Sequence, residues 1–461
     1  MRRLTFVLVL VLAVSVGALE IYGPRALGMG GAQVALVDDG TCVYWNPGAF
    51  GRGDNIFEAS PVWGFAVADN ITEAMNKFED TFGDNRELPT DPAQYETFFN
   101  GVLTDVENSL DGFNEPGVGV IGNMHAGVTA KIGSIGFSWV DITKIEVGPW
   151  ADTRRIRLIP INYLDSQAEI YALHAAGELT AAQYNLLGSQ GWRTIIGDGI
   201  GMDDNQSVIS IDGFAQHDIA ASYGYSWRLG NRRSGDFIGV GGSAKFILGE
   251  RFRNSIDLVK AGQLDPANLV TGPNWLFENV FGIDSTTSGY GFSMDIGVQG
   301  QVGEFFHFGI LGRNLIPFEI KWQDGSTPTR IDPMVRIGVA FEPFTGLNLA
   351  IDIDALEKDY TVSVYNPVTQ REEDIVVDKV RDLSVGVEWD IAEIFAIRAG
   401  INTNYNSLIE DKARANFLAT FGFGINVVGV LQFDLAVMTN QFSAGEHNST
   451  LGGSASLGIS L

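Results

Sequence analysis

The chain has 461 residues, with 30 Lys and Arg against 56 Asp and Glu, a net charge of −26, 56 glycines and 29 phenylalanines. Such acidity excludes nucleic acid as a natural partner, since phosphate binding needs the opposite sign, and a single cysteine, Cys42, excludes an internal disulfide. Glycine and aromatic residues enriched together, with only 19% charged residues, set the chain apart from disordered and coiled sequences.

The first segment, MRRLTFVLVLVLAVSVGALE, carries Arg2 and Arg3, an apolar run from Leu4 to Val14 and small residues at Gly17 and Ala18. This is the pattern of a secretory signal peptide over 1–18, cut after Ala18. The run is shorter than the ~20 residues a membrane anchor helix needs, and Leu19 stands where a lipoprotein would have its cysteine. Next comes RALGMGGAQVALVDDGTCVYWNPGAF, residues 25–50. Its glycines suggest a phosphate loop, but Gln33 occupies the place of the third glycine in the nucleotide fingerprint, and no strand precedes it.

Helical spacing follows near 69–111: Ile71, Ala74, Met75 and Phe78, then Asp91 as N-cap, Pro92, Gln94 and an apolar stripe from Tyr95 to Leu110. A second helical insertion is predicted near 165–188, where Ser166 with Glu169 and Thr180 with Gln183 form capping boxes. These helices either pack on one another at a barrel rim or help to build an apolar ligand pocket.

From Gln206 onward strict alternation dominates. Ile219, Ala221, Tyr223, Tyr225 and Trp227 share one face of their segment. So do Tyr290, Phe292, Met294, Ile296 and Val298, then Val335 to Phe341, Leu347 to Ile353, Leu383 to Trp389, Phe417 to Ile425, Leu431 to Val437 and Leu457 to Leu461. The opposite faces are Gly, Ser, Ala, Asn and Asp, which suit a crowded polar interior better than bulk water. A soluble sheet shows the same period, but ten-residue alternating segments behind a signal peptide are the signature of an outer-membrane barrel. Hydrocarbon offers no partner to backbone N–H and C=O groups, so a spanning sheet must close on itself. The expected fold is therefore all-β: a transmembrane antiparallel β-barrel of about 14 strands over 53–461, interrupted by the helical insertions. Trp139, Trp227, Trp322, Trp389 and Tyr360 are candidates for its interfacial girdles.

Gly28-Met29-Gly30-Gly31-Ala32, Asp38-Asp39 and Tyr44-Trp45-Asn46-Pro47 resemble the opening segment of FadL-type outer-membrane transporters and their PorV-like and TraF-like relatives. Gly48 replaces the usual alanine, and Leu461 replaces the aromatic residue that ends many such barrels. The stretches 309–320, 332–359 and 383–404 are similar to the barrel hairpins of the conjugal transfer TraF-like branch. The resemblance implies that 19–52 is a plug folded into the lumen, with Gly28, Gly30, Gly31, Asp38, Asp39, Asn46 and Pro47 as its motif. It implies a place in the outer membrane, contact with outer-membrane lipid, and one of two roles. One is passive uptake of a small hydrophobic ligand. The other is a non-transporting scaffold for secretion or conjugation proteins.

No catalytic constellation appears: G-x-S-x-G is missing and Cys42 has no nearby histidine in sequence. The five histidines, His125, His174, His217, His307 and His447, lack metal-ligand spacing, and GDGIGMDDNQ (197–206) misses the calcium-loop pattern. No enzyme activity, cofactor or metal is expected.

Overall fold

A computed structural model of the chain describes residues 21–50, 57–69, 71–83, 101, 104–105, 108–116, 118–153, 206–229, 236–257, 286–303, 305–325, 328–366, 371–406, 417–440 and 449–461. The expected signal peptide, most of the 91–110 stripe and the 165–188 insertion lie outside the described residues.

Eighteen strands are described: β1 (Phe57–Asp69), β2 (Val120–Ile132), β3 (Ile135–Trp150), β4 (Val208–Arg228), β5 (Phe237–Asp257), β6 (Thr286–Val302), β7 (Phe306–Arg313), β8 (Phe318–Ile320), β9 (Thr329–Ile331), β10 (Met334–Phe344), β11 (Leu347–Asp354), β12 (Lys358–Asn366), β13 (Arg371–Val380), β14 (Asp382–Ile391), β15 (Phe395–Asn404), β16 (Leu418–Val427), β17 (Leu431–Thr439) and β18 (Ser449–Ser460). Fourteen of them form a closed ring in the order β1-β18-β17-β16-β15-β14-β11-β10-β7-β6-β5-β4-β3-β2. Each neighbouring pair is antiparallel, and β1 pairs with β18 to shut the ring, Glu58 opposite Ser460 and Asp69 opposite Ser449. Closure leaves no strand edge unpaired, as hydrocarbon requires. β8–β9 and β12–β13 are separate two-stranded sheets carried between wall strands.

The alternation read from the sequence sorts the two faces. Phe292, Phe421, Phe433 and Leu435 point outward, each more than half exposed. Residues of the opposite parity on the same strands face the lumen: Ser293, Asp295, Thr420 and Asp434 are buried. An apolar exterior over a polar interior inverts the soluble protein and matches the lipid-facing pattern of membrane barrels. Trp139, Trp227 and Trp389 also face out, at 50–53% exposure. Trp322, at 5%, does not; it is tucked inside the mouth, and Tyr360 lies on β12, so neither belongs to the outer aromatic girdles.

Tight turns at 133–134, 345–346, 392–394 and 428–430 join strands at one end, whereas the connections at the other end are longer, from 9 residues between β17 and β18 to dozens elsewhere, and two of them carry the extra hairpins. β4 and β5, 21 residues each, are about twice the 9–11 residues a tilted strand needs to span hydrocarbon, so they stand beyond the apolar band at the long-connection end. There, helix α1 (Thr72–Gly83) takes up Ala74 and Phe78 of the predicted stretch, with the Phe78 ring against Phe113 at 5.9 Å. No described helix is long and apolar enough to cross a membrane.

Candidate functional site

Residues 21–50 fill the ring. Tyr22, Leu27, Met29, Val34, Val37, Trp45 and Phe50 are all at most 2% exposed, packed among themselves and on lumenal side chains such as Val62, Val140 and Leu311. The local structure follows from the sequence. Pro24 opens a short helix, Pro24–Gly28, with its φ already set. Gly30 and Gly31 then take φ of 64° and 94°, a left-handed region where a side chain is strained, and turn the chain back so that Gly31 N–H donates to Ala26 O at 2.8 Å. After a second short helix, Cys42–Trp45, Asn46 is extended, and its Oδ1 accepts from Gly48 N, starting the turn Pro47–Ala49.

The wall holds this segment chiefly by its backbone. Asp352 Oδ2 on β11 accepts the N–H groups of Gln33 and Val34, both at 2.8 Å. Gln299 Nε2 on β6 donates to Ala35 O and Val37 O at 3.0 and 2.9 Å. Arg313 donates to Tyr44 O at 2.6 Å with its guanidinium 3.9 Å above the Tyr44 ring, and Thr420 Oγ1 donates to Gly28 O. Asn46 Nδ2 links Val34 O within the segment to Val298 O on β6. Where strand and segment touch, the wall is glycine: a Cβ on Gly386 would stand 2.4 Å from Met29 O, and one on Gly400 would stand 2.3 Å from Gly30 N. The small inner face is thus the space into which the segment fits.

Arg25 reaches out to a wall carboxylate. It grips Glu388 on β14 in a two-pronged pair at 2.8 and 2.9 Å, and Asp38 at 2.5 Å. Glu388 is shared with Arg398 at 2.6 Å, which in turn holds Asp434. Burial alone would lower the Arg25 pKa, but Asp38 and Glu388 outweigh it and hold the pKa well above the ordinary value. Burial pushes the Asp39 carboxyl up, against the pull of Arg25, and pushes the Cys42 thiol up strongly, so that Cys42 is an inert buried thiol. A cavity of about 310 Å³ opens beside this network at the tight-turn end, lined by Arg25, Asp38, Glu388, Asp390, Arg398 and Asp434 among others.

At the opposite end described residues reach into the lumen. β8–β9 folds inward: Ser293 Oγ donates to Ile316 O, Phe318 and Ile320 lie over Gly289 and Gly291, and Trp322 meets Phe214 edge to face at 6.1 Å. The stretch 309–320 is therefore not one wall hairpin; only its first half, in β7, is wall.

All seven residues predicted as the motif sit in the lumenal segment. Gly28, Asn46 and Pro47 touch the wall, Gly30 and Gly31 make the turn, and Asp38 pairs with Arg25. Asp39 serves locally, accepting from Thr41 N at 2.8 Å. Sequence reasoning missed the wall partners Asp352, Gln299, Arg313 and Glu388, and Arg25 itself. The available signal was long or charged side chains on otherwise small faces of alternating segments. Among the described residues no group of three His, Cys, Asp or Glu is placed to hold a metal.

A protein-family model for the F plasmid transfer operon TraF protein matches residues 64–354, more than half of the chain. No curated protein matches. Among solved structures, the Ralstonia pickettii toluene transporter TbuX aligns at 12% identity over 97% of this chain and 100% of its own, with a TM-score of 0.49. The Pseudomonas putida toluene transporter TodX aligns at 11% identity over 96% of this chain and 99% of its own, TM-score 0.46, and a Pseudomonas aeruginosa FadL homologue at 12% over 97% and 99%, TM-score 0.44.

Proposed function

The chain belongs to the F plasmid transfer operon TraF protein family, and we propose that it is a FadL-like outer-membrane barrel for passive uptake of small hydrophobic molecules, with residues 19–52 as a removable plug. In this reading 1–18 is the export signal, the tight turns face the periplasm and the long connections face out, as in other membrane barrels. The observation that carries it is how residues 21–50 are seated: by hydrogen bonds, ion pairs and packing, with Cys42 the only cysteine and so no disulfide to pin them. A seal of that kind can leave. Apolar groups at the outer rim, Met75 at 44% exposure and the Phe78–Phe113 pair, give a hydrophobic solute a place to gather.

A second reading, a non-transporting scaffold for secretion or conjugation proteins, is favoured by a different observation. The described cavity beside the plug is lined by charges, and an apolar solute entering it would strip them of water at a cost. Mass spectrometry of the purified protein, with proteoliposome uptake before and after deletion of 19–52, tests the first reading. A co-purifying apolar ligand and uptake that rises on deletion support it. Absence of both, with a stoichiometric partner recovered by crosslinking, replaces it with the second.

A further inference from the structure

The β12–β13 hairpin leaves the wall between β11 and β14, yet it is bonded to β3 and β5, with β10, β7 and β6 intervening around the ring. It therefore crosses the mouth. Asp374 on β13 accepts from Arg251 Nη1 and Nη2 at 3.1 and 2.7 Å, and from Arg253 Nη2 at 2.7 Å. Lys144 on β3 donates to Thr361 O at 3.4 Å and lies 6.0 Å from the Tyr360 ring centre. Beneath the crossing is a cavity of about 130 Å³ lined by Lys144, Glu146, Asp212, Phe214, Arg251, Thr329, Thr361 and Asp374.

What separates this tie from a static brace is the state it leaves behind when broken. Asp212 on β4 is itself bonded to Arg251 Nε at 3.1 Å and to Arg253 Nε at 3.0 Å. Lys144 is paired with Glu146 on its own strand. Lifting the hairpin takes Asp374, already 27% exposed, into water while both arginines and the lysine keep a carboxylate. No buried charge is orphaned, which is the step that makes breaking most buried pairs so costly.

We propose that the β12–β13 hairpin is a strap across the outer mouth, held shut by Asp374 on Arg251 and Arg253, which lifts to open the cavity beneath it to the exterior. The strap rests on the orientation proposed above, with the long connections outside, but its test measures access rather than uptake, so its failure is distinct from failure of the transport reading.

The test uses the full chain in the outer membrane of intact cells, with Thr329→Cys as a reporter in the cavity and a membrane-impermeant maleimide as probe; Cys42 is fully buried, and the chain without the reporter is the blank. Thr329→Cys alone should react slowly. Adding Asp374→Arg, which sets a third cation against the two arginines, should raise the labelling rate at least about tenfold, since charge-assisted bonds are replaced by repulsion. Asp374→Glu, which keeps the carboxylate, should leave it within about threefold. If Asp374→Arg does not assemble, Asp374→Ala takes its place. Equal rates with Asp374 intact and replaced, in barrels that remain heat-modifiable, overturn the strap, as does a reporter that reacts as fast as a free thiol from the outset.

Discussion

Replacing Asp352 with Ala should loosen the lumenal segment without dismantling the barrel. One carboxylate oxygen accepts two backbone N–H groups, of Gln33 and Val34, at 2.8 Å each, in a place with no solvent exposure. The variant leaves both donors buried and unpaired, at about 1–3 kcal/mol apiece, so about 2–6 kcal/mol of seating is lost, less whatever entering water restores. At the low end, ~2 kcal/mol multiplies the unseated population roughly thirtyfold. The chain provides its own reporter, since Arg25 is the only Lys or Arg in residues 21–50 and is shielded in the lumen. Limited trypsin treatment of the detergent-purified protein, with cleavage after Arg25 followed by mass spectrometry, should be at least tenfold faster in Asp352→Ala, while the folded band on a heat-modifiability gel is unchanged. Equal cleavage rates with an intact barrel would refute the idea that wall side chains seat the segment through its backbone.

Gly386→Val places a side chain where Met29 O already lies within 2.4 Å of a Cβ, so it should expose Arg25 to trypsin even though every hydrogen-bonding group remains. Arg398→Ala should lower the urea midpoint of barrel unfolding by the equivalent of about 3–5 kcal/mol, because Asp434 and Glu388 lose a shared buried partner. Phe421→Arg, on the outer face at 55% exposure, should cost about 2–4 kcal/mol in folding into lipid and reduce the heat-modifiable fraction. The same substitution in a soluble sheet's exposed face would be nearly neutral, so an unaffected Phe421→Arg protein argues against hydrocarbon as the solvent.

The barrel was largely legible because its signal is local. Tyr290 to Val298 and Leu431 to Val437 each declare two faces within nine residues, and the faces turn out to be lipid and lumen. The partner of each lumenal group was not legible. Asp352 meets Val34 across 318 positions and Glu388 meets Arg25 across 363, and nothing in the alternation says which small-faced strand stands opposite which turn of the segment. The mouth was misread for a related reason. Residues 309–320 resemble a wall hairpin of the TraF-like branch and end in Phe318-Glu319-Ile320, but Asn314 at φ 53° turns the chain inward. Trp322 then buries in the lumen instead of joining an interfacial girdle. Period two reports a strand, and only the register of its neighbours reports which sheet it joins.

Both closures of this barrel share a physical logic. If residues 21–50 leave as proposed, Glu388 loses Arg25 but keeps Arg398, while Asp352, Gln299 and Arg313 exchange the segment's backbone groups for entering water. When β12–β13 lifts, Asp212 keeps two arginines. In each case the element proposed to move contributes the surplus member of a charge cluster, and within that cluster the wall retains an ion pair. The buried Arg398 bridge from Glu388 to Asp434 has no such surplus on the Asp434 side, and it joins strands that must never separate.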